Sequence, residues 1–176
     1  MENKNAINAQ QNKPEQTYKA IRGYIIDAQK HVYSAVNYAM VTAYWNIGKE
    51  IYEICGENER AAYGKQVLKE ISTRLSEEFG TGFSVPNLRN MRQFYVTFPK
   101  RDTLCSELSW SHYRQLMRIS DEKARAFYAE EAAKAGWSVR QLQRQINTMY
   151  YNRILASHDK QSVGAEIDKV EPRTEY

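Results

Sequence analysis

Apolar positions in this chain recur at steps of three and four almost throughout, and no period-2 run of β-branched residues interrupts them, which predicts an all-α fold. The longest stripe runs from about Thr17 to Ile54 through Ile21, Ile25, Ala28, Val32, Ala35, Ala39, Ala43, Ile47, Ile51 and Ile54. One long helix is the simplest account, unless Gly48 divides it in two. At about 1.5 Å per residue such a helix outruns a small domain, so part of its stripe is expected to pack on a second copy. A homodimer through the long N-terminal helix is the expected assembly.

Shorter elements follow, each with its own punctuation. Asn58 is placed to cap a second helix ending near Phe79, with Tyr63, Val67, Ile71 and Leu75 on one face and Gly80 as a left-handed stop. Ser84 is placed to cap a third helix that Pro99 ends, with Phe83 stapled onto Leu88 and an inner face of Leu88, Met91, Tyr95 and Phe98. Ser109 opens a fourth helix and Asp121 a fifth that stops at Gly136. Ser138 caps a sixth, with Gln141 completing a capping box, Trp137 stapled onto Leu142, and Val139, Leu142, Ile146 and Met149 inward. The segments GFSVPNL at 82–88 and GWSVRQL at 136–142 resemble each other, each opening a helix just after another has stopped. This reads either as ordinary reuse of good caps or as two helix-turn-helix units. The expected architecture is a long N-terminal helix followed by a compact helical domain, with helix-turn-helix-like units, over residues 15–156. Residues 1–14 and 157–176 are expected to be a disordered N-terminus and a flexible tail or linker.

Charge changes the picture once it is divided by region. The net charge is +4, and residues 84–153 carry 12 Lys/Arg against 6 Asp/Glu, while residues 1–83 are balanced at 10 against 10. A basic segment that follows a neutral one is either a surface for phosphate or an ordinary mixed face. On the third helix Arg89, Asn90, Gln93 and Thr97 fall opposite the apolar sector, with Arg92 at its border. On the sixth, Arg140, Gln143, Arg144, Asn147 and Tyr151 do so. Arg can fork onto guanine or phosphate, and Asn or Gln can pair with adenine, so both helices are candidates for reading DNA. Arg114 and Arg118, four residues apart in SHYRQLMR, are spaced either to straddle a phosphate or to pair with carboxylates. The candidate DNA-binding set is Arg89, Asn90, Arg92, Gln93, Thr97, Arg114, Arg118, Arg140, Gln143, Arg144 and Asn147.

Other chemistry finds little support. His31, His112 and His158 lie far apart, and His112 reads as a partly buried helix-cap residue. Cys55 and Cys105 stand without a CxxC, which fits free thiols in a reducing compartment. No run reaches the roughly 18 apolar residues a membrane span needs, and the polar start is not a signal peptide, so a cytoplasmic protein is expected. No catalytic residue, metal, cofactor or small-molecule substrate is expected. Trp45, Trp110 and Trp137 read as core anchors.

Taken in order, YWNIGKEI at 44–51, RAAYGKQVLKEISTRLSEEFGTGFSVPNLRNMRQFYVTFP at 60–99, LSWSHYRQLMRI at 108–119 and GWSVRQLQRQI at 136–146 resemble the N-terminal domain of the YhcG-type family of bacterial proteins. The resemblance covers about residues 17–160. It implies a helical domain of unknown function that is normally followed by a C-terminal PD-(D/E)XK nuclease domain. The carboxylates and lysine of that nuclease have no counterparts in this sequence, so the resemblance implies the part that engages DNA or partners and not an enzyme. Residues 108–146 are also similar to the helix-turn-helix region of ParB-type partition proteins, which bind DNA. The alternative, from a different class, is a protein-interaction or dimerisation domain without direct DNA contact.

Overall fold

A computed structural model of the protein describes residues 13–55 and 62–157, and among these the regular structure is helical, with no strand. Seven α-helices are described: α1 (Lys13–Cys55), α2 (Ala62–Phe79), α3 (Val85–Thr97), α4 (Trp110–Leu116), α5 (Glu122–Ala135), α6 (Val139–Asn147) and α7 (Tyr150–Ala156). Short 3-10 turns at Thr81–Phe83 and Arg101–Thr103 join some of them. By their internal packing, the described residues up to Val36 form one unit and those from Asn37 onward another. No described helix is long and apolar enough to cross a membrane. Asn58, the first 12 residues and the tail beyond 157 lie outside the described residues.

In the first unit, residues 13–36 are helical and most of their side chains are exposed, Ile21, Ile25 and Val32 among them. In the second, α1 continues as a core helix whose buried residues are Val41, Trp45, Gly48 and Ile51. The expected stripe is thus displaced here, because Ala39 and Ile54 are exposed. Gly48 does not divide the helix. A Cβ at this position would lie 2.0 Å from the Met91 carbonyl oxygen on α3, so glycine is what lets the two backbones approach.

Two apolar clusters build the core. Ile51, Leu68, Leu88 and Met91 form the smaller, joining α1, α2 and α3, with Phe83 packed against it. The larger gathers Val41, Trp45, Phe94, Leu108, Tyr113, Leu116, Tyr128, Trp137, Leu142 and Tyr150. Trp110 touches both. The Trp45 indole donates to the Phe98 carbonyl at 2.7 Å, satisfying its one polar atom where α3 ends.

Several local expectations are corrected. On α2, Ile71 and Leu75 pack on the smaller cluster as expected, but Tyr63 is 72% exposed and the buried positions are Gly64, Leu68 and Ser72. Gly80 has a positive φ of 87° but an extended ψ of −171°, which sends the chain into a 3-10 turn in place of a left-handed cap. Ser84 stands at the N-cap of α3 without a side-chain cap bond. Phe94, assigned to no face by the period, is fully buried, whereas Tyr95 and Phe98 only pack at the cluster's margin. The sixth helix stops at Asn147, Met149 turns left-handed (φ 53°, ψ 42°) and is 64% exposed, and α7 starts at Tyr150. Its inward residue is Gln145 in place of Met149, and Tyr151 contacts the Phe127 ring in place of facing outward.

Candidate nucleic-acid interface

The α5–α6 turn is locally determined at every step. Asp121 opens α5 by accepting the Lys123 and Ala124 amides at 2.8 and 3.3 Å. Gly136 closes it in the left-handed conformation (φ 63°, ψ 38°), which glycine adopts without steric cost. The Trp137 amide reaches back to the Ala132 carbonyl at 3.0 Å, the bond expected of a Schellman stop. Ser138 and Gln141 then form a reciprocal capping box, Ser138 N–H donating to Gln141 Oε1 at 2.7 Å and Gln141 N–H to Ser138 Oγ at 3.2 Å. Trp137 and Leu142 flank this box in the same buried cluster, as a hydrophobic staple requires.

Helix α4 packs on α6 and is tied to the same turn through one buried side chain. His112 caps its own helix, its Nδ1 accepting the Ser109 amide at 3.1 Å, and its Nε2 lies 2.9 Å from the Trp137 carbonyl. A ring that accepts at Nδ1 and meets a carbonyl at Nε2 is the neutral Nε2–H tautomer. Burial pushes the imidazole below its ordinary pKa, against the smaller upward pull of the Trp137 carbonyl. The expected role of His112 as a cap is thus extended, since its ring also ties α4 to the backbone just before α6.

This framework presents Arg114 from α4 and Arg140, Gln143, Arg144 and Asn147 from α6, all exposed. Arg118 is exposed as well, but it lies in the turn after α4 ends at Leu116, with its guanidinium donating to Gln115 Oε1 at 3.2 Å. Neither 109–119 nor 137–153 contains a single Asp or Glu. The carboxylates between these segments are the α5 cap Asp121 and Glu122, Glu130 and Glu131 on α5 itself, where Glu130 holds Lys134 at 2.6 Å. Two packed helices therefore each expose arginine, and α6 amide side chains as well, from segments whose own sequence supplies no acid.

The candidate residues of α3 are divided. Arg89 and Gln93 are exposed, and Gln93 donates to Thr97 at 3.1 Å. Asn90 and Thr97 are half-buried. Arg92 is half-buried too, with its guanidinium carbon 5.4 Å from the centre of the Tyr52 ring on α1, a cation–π contact that helps seat α3 on α1. The period of α3 put Arg92 at the edge of the outward sector, and the close approach at Gly48 is what closes α1 over that edge.

A cleft of about 570 Å³ opens beside Phe98, Leu108, Tyr113, Arg125 and Ala129. Burial pushes the Tyr113 phenol up to about 12, and the Cys105 thiol, which donates to Glu107 Oε2 at 2.7 Å, is also raised by burial. Neither group is poised as a nucleophile or base near neutral pH. Among the described residues no three His, Cys, Asp or Glu side chains gather in a way that could hold a metal ion.

The model of the DUF1016 N-terminal domain matches residues 20–153. A protein of Escherichia coli (strain K12) named "Putative nuclease YhcG" is 34% identical over 182 aligned residues, which cover 85% of this chain and 48% of that protein. The chain thus spans about half the length of this relative. No solved structure matches.

Proposed function

The chain belongs to the DUF1016 N-terminal domain family, and from that premise we propose that it is a DNA-binding module that targets a DNA-processing nuclease family to its substrate and does no chemistry itself. The observation that carries this reading is the set of exposed Arg140, Gln143, Arg144 and Asn147 on α6, a helix started by a Schellman stop and a capping box and packed on α4 with its exposed Arg114, in segments 109–119 and 137–153 that contain no Asp or Glu. A helix presented by a tight turn, with arginines and amides outward, has the means to contact phosphates and base edges. Arg89 and Gln93 of α3 extend the candidate surface, and Arg92 serves the packing of α1 on α3. The alternative is a protein-interaction domain, favoured by the exposed apolar side chains of residues 13–36.

Fluorescence anisotropy with a labelled duplex at two salt concentrations tests the reading. The Arg140→Ala, Arg144→Ala double variant should lose affinity, and the slope of log affinity against log salt should fall by about 0.9 for each phosphate contact removed. An unchanged affinity and slope in a folded double variant would give the interaction-domain reading the field. Incubation of the chain with duplex and magnesium or manganese should leave the DNA intact, and nicking that a single substitution within residues 20–153 abolishes would end the non-catalytic reading.

A further inference from the structure

The first 24 described residues present an apolar face that nothing in the DNA-binding reading uses. Six positions of α1 form a heptad seam: Tyr18, Ile21, Ile25, Ala28, Val32 and Ala35, at alternating steps of three and four. At 100° per residue they fall within an arc of about 100°, and Lys19, Arg22, Asp27 and Lys30 all lie outside it. Every large member is exposed, from 51% at Ile21 to 63% at Val32. Tyr24 and Val36 border the seam at 74% and 56%.

We propose that residues 13–36 pair antiparallel with the same segment of a second copy, in the register that sets Tyr18 against Ala35, Ile21 against Val32 and Ile25 against Ala28 of the partner. Volume decides the direction. In a parallel, in-register pair each layer repeats one residue, so Tyr18 meets Tyr18 at a crowded axis while Ala28 and Ala35 face their own copies across gaps. In the antiparallel register the tyrosine and one isoleucine of each copy meet alanine, and Ile21 meets the smaller valine, so the six layers are evenly filled. Arg22 then lies beside Gln29 of the partner and not beside its own copy. The seam and its borders would cover on the order of 600 Å² per copy, near the roughly 800 Å² of stable complexes. The pairing stands independently of DNA binding.

Sedimentation and cross-linking of the full chain test it. With Cys55 and Cys105 replaced by Ser, a mixture of the Tyr18→Cys and Ala35→Cys chains should form a disulfide between unlike chains, and neither chain alone should cross-link. The chain should sediment as a dimer at tens of micromolar, and Ile25→Glu should weaken the dimer at least about tenfold by burying a carboxylate in the seam. The melting transition should remain, since residue 25 lies outside the core described above. A strict monomer overturns the proposal. So does a dimer in which each single-cysteine chain cross-links with itself, one indifferent to Ile25→Glu, or a monomer that pellets with phosphatidylcholine vesicles, which would assign the face to lipid.

Discussion

GFSVPNL and GWSVRQL begin alike, and the two turns they form do not. At the α5–α6 turn, Gly136 takes the left-handed conformation, Ser138 caps with its side chain and the helix leaves with its arginines exposed. At the α2–α3 turn the positive φ sits two residues earlier, at Gly80, the glycine that aligns with Gly136 lies inside a 3-10 turn, and Ser84 makes no side-chain cap bond. The position equivalent to Gln141 is Asn87, whose amide donates instead to the Gly82 carbonyl at 3.0 Å. Local bonds start α6, with His112 of α4 bracing the turn at Trp137, whereas α3 starts without a side-chain cap and is seated by contact with α1. The difference decides which arginines are presented, because the contact that holds α3 also takes Arg92 onto Tyr52.

The strongest way to break this contrast is Gly48→Ala. The added methyl meets the Met91 backbone at 2.0 Å, and backbone cannot move aside as a flexible side chain would. Overpacking of this kind should cost about 3 kcal/mol, read as a lower denaturation midpoint in urea. Arg92 should be loosened from Tyr52 at the same time. A variant as stable as the parent would show that α3 does not depend on this approach.

His112→Phe attacks the other side of the comparison and should cost about 2 kcal/mol, because the Ser109 amide and the Trp137 carbonyl both lose a buried partner. Its pH dependence identifies the cause. The folded protein holds this imidazole neutral with a lowered pKa, so below about pH 6.5 the unfolded chain takes up a proton that the folded one resists. The His112 contribution is therefore complete above that pH and declines as pH falls from about 6.5 through the lowered folded value. Urea midpoints between pH 7.5 and 5 should fall more steeply for the parent than for His112→Phe. Parallel curves would mean that the ring is protonated in place.

How far these features were legible follows from the same division. Asp121, Gly136, Ser138 and Gln141 act through bonds of a few residues' span, and they stand where their spacing placed them. Phe94 and Gln145 are covered by elements distant in sequence, and the period of their own helix does not single them out. The alternative of a break at Gly48 rests on glycine's poor local propensity, whereas the value of this glycine lies in a neighbour 43 residues away. Of the candidate residues, the exposure of those on α6 is readable because α6 is a short amphipathic helix with one buried side. Arg92 was not, because nothing in α3 announces Tyr52. The left-handed Met149 carried no signal either, since the period continues smoothly through it.

The smallest expected effect is also the most direct comparison of the two turns. Ser138→Ala removes the oxygen that accepts the Gln141 amide and should cost about 1 kcal/mol, the usual value of an N-cap. Gln141 would keep its bond to the Ser138 backbone amide, so the box should be halved and not abolished. Ser84→Ala removes a side chain that makes no cap bond and should cost only about 0.3 kcal/mol, within the range of ordinary surface changes. Pro86, already in the first turn of α3, has no amide to leave unsatisfied, which lowers the demand for a cap there. Urea midpoints of the two variants measured side by side give the answer. If Ser84→Ala costs as much as Ser138→Ala, the serine caps both helices in solution, the two turns are equivalent, and α3 would owe its direction to its own sequence as much as α6 does.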